Sequence, residues 1–263
     1  MEDWNAFAQL MHEIQAERNN FRLESHQECF YRGHRNCQYE LLPSLHRSMQ
    51  TRLGEIPEVE LNVFWEFRFK ARQLYTGMND DWDVLFHMQH HGVPTRLLDW
   101  TTVLGVALYF ALLDYERDAE ELPCIWLLNP YGWNKKERKV NLLFSPRYLT
   151  RDEEYYRSYT YEEVLLDTHP MNWKSPVALH STQKSERMFA QSGCFTIHGT
   201  DPKGMQEFSS RSHLLKRIDI PKLAIPAVRS FLSHTGIGHR QMFPDLDGLA
   251  KTVCDRFGLP RRP

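Results

Sequence analysis

Residues Gln89-His90-His91-Gly92-Val93-Pro94-Thr95-Arg96-Leu97-Leu98-Asp99-Trp100-Thr101-Thr102 set ionisable groups, polar side chains and two backbone breakers between two helical patterns. A segment of that kind is costly to fold unless it builds a site, because each buried charge, donor or acceptor in it needs a partner. Asn79-Asp80, with Asp83 three residues on, supplies an acid-capped helix start, and Gly92 followed by Pro94 supplies the stop. His87, His90 and His91 then fall in the last turns. Pro94 to Thr102 reads as a loop, after which Thr101 or Thr102 can cap a very apolar helix from Val103 to about Tyr115.

The rest of the chain supplies the scaffold for that segment. Asp3 to Arg18 carries Phe7, Leu10, Met11 and Ile14 at helical spacing, with Asp3 as a cap, and Glu58 to Tyr75 repeats the pattern on Val59, Val63, Phe67, Ala71 and Leu74. Gln27 to Gly33, Cys124 to Leu128, Pro176 to His180, Cys194 to His198 and Leu214 to Ile220 have strand composition, each bounded by turn residues. Asn36 to Ser48, which contains Pro43, reads as loop, Trp133 to Lys139 as a charged turn, and Tyr148 to Tyr161 as an exposed loop or short helix. Lys184 to Gln191, Pro221 to His234 and Asp245 to Phe257 read as helical. The sum is an α+β fold: a single domain with a central, mostly antiparallel, split sheet flanked by helices.

Composition excludes several function classes. With 263 residues, 41% hydrophobic, the chain can bury a substantial core, and a formal net charge of -2 argues against holding nucleic acid by bulk electrostatics. The start Met1-Glu2-Asp3-Trp4 has no basic or apolar run of a signal peptide, and the most apolar stretch, Val103 to Leu113, is too short to span a membrane. Five cysteines, odd in number and without a C-x-x-C pair, fit a reducing compartment, so a cytoplasmic location with no membrane association is expected.

Three constellations could carry chemistry. Arg32, between Tyr31 and Gly33 at a strand end, can present a planar fork to a carboxylate or diphosphate, or simply sit in a surface salt bridge. Arg96, Asp99 and Thr101 precede a helix N-terminus, where free N–H groups favour an anion; the structural alternative is that Asp99 pairs with Arg96 and Thr101 caps the helix. Ser185 to Phe195 brings Glu186, Arg187 and Gln191 to Gly193, which opens a strand; a solvated helix face with a turn glycine is the plain alternative. His87, His90 and His91 lack the glutamate of H-E-x-x-H and a matching Cys/His/Asp set, so no metal site is expected. Lys135 to Lys139 reads as a solvated charged loop, with a phosphate-binding patch as its alternative. Serine-hydrolase, P-loop and dinucleotide glycine motifs do not occur.

Phe30-Tyr31-Arg32-Gly33, the Gln89 to Thr101 segment running into Ala107-Leu108-Tyr109-Phe110-Ala111, and Arg187 with Ala190 to Phe195 together resemble the FRG-domain family, with Met242 to Ala250 as a closing block. The resemblance implies an N-terminal helix over 1–25 and an FRG domain over 26–263. It also implies a link to toxin–antitoxin and antiviral defence systems. The layout is similar to an ADP-ribosyltransferase, which implies NAD as substrate, an RNA or protein acceptor, and a possible antitoxin as partner. In that comparison Arg32 holds the NAD phosphate or the nicotinamide ribose, and Thr101 with Asp99 stands where those enzymes place a Ser-Thr-Ser segment; the reading this leads to has Arg32 and Arg96 clamp the diphosphate, His91 and Thr101 position ribose or nicotinamide, and Asp99, Glu186 or Gln191 stabilise the cationic centre. Those transferases place a glutamate where this chain has Gln191, and a glutamine cannot neutralise positive charge. Two other functions stay open: a non-catalytic module that binds a nucleotide or phage component, and a metal-independent ribonuclease using His90, His91 and Arg96.

Overall fold

A computed structural model describes residues 1–75, 77, 80–116, 119–139, 141–145, 175–180, 185–199, 201–208 and 211–260. The Tyr148 to Tyr161 stretch and Asn79 lie outside the described residues. Ten α-helices and a six-stranded antiparallel sheet make up the described fold, which is α+β as expected. In chain order the strands are β1 (Phe30–His34), β2 (Leu97–Thr101), β3 (Cys124–Leu128), β4 (Val177–His180), β5 (Gly193–Ile197) and β6 (Leu215–Asp219), and their spatial order is β4-β5-β2-β1-β3-β6. The helices are α1 (Glu2–Asn20), α2 (Ser44–Ser48), α3 (Ile56–Ala71), α4 (Asp81–His90), α5 (Leu104–Leu112), α6 (Pro130–Arg138), α7 (Glu186–Ala190), α8 (Ile225–His234), α9 (His239–Met242) and α10 (Leu246–Phe257). Among the described residues no helix is long and apolar enough to cross a membrane.

Period-two alternation divides the strand residues between two faces. On one face Tyr31, Ile125, Leu127 and Ile218 pack against Phe7, Ala107, Ala111 and Val228 from α1, α5 and α8. Farther along the same face Leu97, Phe195, Val177 and Leu179 pack against Phe64, Trp82 and Leu85 from α3 and α4. Full burial of a side chain such as Leu85 contributes about 1.5–3 kcal/mol. The other face carries Phe30, Leu98, Trp100, Trp126 and Ala178 against Trp133 of α6. Two helical blocks therefore stand on one sheet face, and the junction between them lies over β1 and β2.

Gly33 lets α5 sit directly on that junction. A Cβ there would lie 2.0 Å from the Ala107 carbonyl oxygen and 2.5 Å from the Ala111 nitrogen, so no other residue fits without lifting the helix.

Several local readings are corrected. The Pro94 to Thr102 stretch is not all loop: Leu97–Thr101 is the central strand β2, because Leu97 and Leu98 are buried on opposite faces and the segment pairs with both β1 and β5. Neither Thr101 nor Thr102 caps α5; its N-cap is Val103, without a side-chain hydrogen bond. Ser44–Ser48 is a helix that Pro43 opens from the N-cap position. Pro130–Arg138 is a helix rather than a charged turn, with Pro130 in its first turn, Asn129 accepting from the Gly132 N–H at 2.8 Å, and a stop at Lys139, whose φ is 62°. Asp3 lies inside α1, 3.2 Å from the terminal ammonium, and does not cap it.

Candidate functional site

β1 and β2 share a single ladder pair, Tyr31 with Thr101, whereas β1 with β3 and β2 with β5 each run for five. Beyond Tyr31 the two strands are no longer paired, and a cavity of about 400 Å3 occupies the opening. Consecutive residues line it: Tyr31 to His34 from β1 and Asp99 to Thr101 from β2. Neighbours in a closed ladder point to opposite faces, so a cavity can touch runs of consecutive residues only where the ladder has opened. Phe86 of α4 and Phe110 of α5 wall the opening on the helical side.

Arg32 bridges the opening. Its Nη1 donates to the Asp99 carbonyl oxygen at 2.5 Å and its Nε donates to His34 Nε2 at 2.9 Å, while the Asp99 carboxylate stands 3.9 Å away. Burial, then the charge of Arg32, pushes the His34 pKa down to about 3. A neutral His34 can accept from Arg32, which assigns its own ring proton to Nδ1. Burial also lowers the proton affinity of Arg32, opposed by Asp99; an arginine stays charged through such a shift. The Arg32 side chain is 20% exposed and that of Asp99 58%, so the carboxylate is the more accessible of the two from the cavity.

The motif after α4 turns out to be a hydrogen-bonded clip. Gly92, at φ 77°, ends α4 and lets the Val93 N–H reach back to the Met88 carbonyl at 2.9 Å. The Leu97 N–H donates to Thr95 Oγ1 at 3.1 Å, so the Thr95 proton goes to Gln89 Oε1 at 2.5 Å. That fixes the Gln89 amide, whose Nε2 donates to both Asp99 carboxylate oxygens at 3.0 Å. Gln89 thus orients Asp99 toward the cavity, a role that sequence spacing did not reveal.

Arg96 is displaced from the expected site. It is 2% exposed and pairs in a fork with Glu60 of α3, Nε to Oε1 at 2.7 Å and Nη2 to Oε2, while Nη1 donates to the His198 carbonyl at 3.2 Å. It does not line the cavity, and it pairs with neither Asp99 nor a solvent-facing anion site. Its role is to latch the start of β2 to α3 and to the end of β5.

The third block closes the far side. Ser185 caps α7 by accepting from the Met188 N–H at 3.1 Å, and Thr101 Oγ1 donates to the Gln191 carbonyl at 2.7 Å. Gln191 Nε2 donates to the Met242 carbonyl at 2.9 Å, which ties the cavity wall to the end of α9. Arg32, Asp99, Thr101 and Gln191 therefore converge on one cavity, joined there by Gln89, His90 and Arg187. Glu186 is exposed on α7 and does not line it. His91, also exposed, lies with His87, Phe67 and Tyr75 along a separate apolar groove of about 720 Å3 between α3 and α4. Burial first, then the charges of His91, Arg187 and His87, lowers the pKa of His90. Among the described residues no group of three or more His, Cys, Asp or Glu side chains is placed to hold a metal ion.

The model of the FRG-domain family matches residues 27–120, a span that includes Arg32, Gln89 and Asp99 to Thr101 but stops short of α7. No curated protein and no solved structure matches the chain.

Proposed function

We propose that the cavity binds NAD and that the protein transfers ADP-ribose to an RNA or protein acceptor. The observation that carries this reading is the convergence of Arg32, Asp99, Thr101 and Gln191 on one cavity at the opening between β1 and β2. An ADP-ribosyltransferase needs a cation for the diphosphate, polar groups for ribose, aromatic walls for the bases, and an anion near the carbon that becomes positive. Arg32 supplies the first, Thr101 and Gln191 the second, Phe86, Trp100 and Phe110 the third, and Asp99 the last.

In the proposed step the bond between ribose C1′ and the nicotinamide nitrogen breaks, and its electron pair leaves with neutral nicotinamide. Asp99, held by Gln89, balances the positive charge that develops on the ribose. A hydroxyl or amine of the acceptor then bonds to C1′ and releases its proton. Gln191 cannot share the electrostatic work, and Glu186 faces away, so the charge balance rests on Asp99. The family resemblance supports a place for this chemistry in a toxin–antitoxin or antiphage system.

Two features favour a binding module instead. Arg32 is already hydrogen-bonded within the protein, and the carboxylate expected at Gln191 is absent. Incubating the purified protein with labelled NAD plus total RNA or lysate separates the readings. Transfer of label to an acceptor with release of nicotinamide is the expected result. Saturable NAD binding without either product points to the binding module, RNA shortened in the absence of NAD points to the ribonuclease, and a folded protein that does none of these overturns the proposal.

A further inference from the structure

We infer that Arg187 is a phosphate-binding residue of the cavity, presented there on the face of Phe243. Arg187 lines the cavity from α7, is half-buried, and stands with its guanidinium carbon 4.6 Å from the Phe243 ring centroid. Its guanidinium makes no hydrogen bond and no ion pair with any described residue. Other part-buried or buried arginines differ: Arg96 has Glu60, Arg68 has Asp81, Arg211 has the Ser175 hydroxyl, and Arg32 has His34 and the Asp99 carbonyl.

Withdrawing a guanidinium from water without a carboxylate partner costs free energy, which an incoming anion would offset. Stacking on an aromatic face supports the flat side of the guanidinium and leaves its edge N–H groups pointing outward in a fixed fork. A fork of that geometry matches two oxygens of one phosphoryl group.

The platform is itself held from behind. His239 stacks on Phe243 at 4.5 Å between centroids, and the Phe110 edge lies 6.1 Å away. His239 Nδ1 is in turn hydrogen-bonded to Tyr109 of α5 at 2.8 Å. Gly248 packs so closely that a Cβ there would lie 1.9 Å from the Phe243 carbonyl oxygen. The Met242 to Ala250 block therefore has a function at the site: one residue of it accepts from Gln191 and the next carries Arg187. Arg187 also takes the place in the cavity that Arg96 does not occupy. Within the proposed NAD reading, on which only the identity of the ligand rests, Arg187 contacts the diphosphate.

The test is calorimetric titration of the full chain with inorganic pyrophosphate, ADP-ribose and adenosine, for wild type, Arg187→Met, Arg187→Lys and Phe243→Leu. Arg187→Met keeps the stem over Phe243 and is expected to weaken pyrophosphate and ADP-ribose by about tenfold or more, as loss of a charge-assisted phosphate contact does, with adenosine nearly unaffected. Arg187→Lys should fall between, since a point charge replaces the fork. Phe243→Leu should weaken pyrophosphate with the charge intact; it and Arg187→Lys decide the matter should Arg187→Met fail to fold. Wild type that binds pyrophosphate but not NAD would sink the NAD reading and leave the inference standing. Wild-type affinity for pyrophosphate in all three variants, an equal loss for adenosine, or a wild type that binds no phosphate probe overturns it.

Discussion

Asp99→Asn is expected to slow NAD-dependent turnover by roughly 10²–10³-fold, the scale on which removing one preorganised electrostatic contact to a transition state is felt. NAD affinity should stay nearly unchanged. Asparagine has the size of aspartate and keeps an oxygen for the Gln89 amide, so the strand, the clip and the cavity walls remain. What is lost is the negative charge, which matters only once positive charge builds up on the ribose. The contrast is with Arg32→Ala, which removes a cation from the cavity wall and should raise Kd as well as reduce turnover. Nicotinamide release and calorimetric Kd, measured on both variants, check the split. Equal turnover by Asp99→Asn and wild type would take Asp99 out of the mechanism.

Glu60→Ala is expected to lower the unfolding free energy by about 3–5 kcal/mol, the usual cost of removing one partner of a buried ion pair. Arg96, 2% exposed, would lose the carboxylate that takes its Nε and Nη2. The damage should be local as well as global, because Arg96 immediately precedes β2 and receives the His198 N–H on its own carbonyl at 3.0 Å. Replacing both partners together, Glu60→Leu with Arg96→Met, should recover most of the stability, since the penalty lies in the stranded charge. Denaturant unfolding of the single and double variants is the check. A single variant as stable as wild type would mean that the pair is not a latch.

Asp99 and Arg96 also show where the sequence is legible and where it is not. Arg32, Asp99 and Thr101 sit at strand positions flanked by glycine, tryptophan or a helix start, and that local grammar is enough to mark them. Gln191 was found in the same way, from a glycine that opens β5. β2 read as loop because its polar residues at 99 and 101 face an opening in the sheet rather than a packed face; a fully buried central strand would have read as a continuous apolar run. Arg96 was misplaced for a different reason: its partner Glu60 lies on α3, and no pattern along the chain announces a pair made by two elements folding together. The same holds for Gln89, whose role needs Thr95 and Asp99 at once, and for Arg187, whose platform comes from the far end of the chain. Pro43 makes the Asn36 to Ser48 stretch read as loop, yet it opens a helix, as Pro130 does, because a missing N–H costs nothing at a helix start.

Amide chemical shifts followed during an NAD titration report which residues sense the ligand without requiring turnover, and so test directly whether the opening between β1 and β2 binds NAD. Saturable shifts are expected to cluster at Arg32 to His34, Asp99 to Thr101 and Gln191 to Gly193, which meet at the opening. No shifts at saturating NAD, or shifts confined to the groove between α3 and α4 around His87 and His91, would contradict NAD binding there.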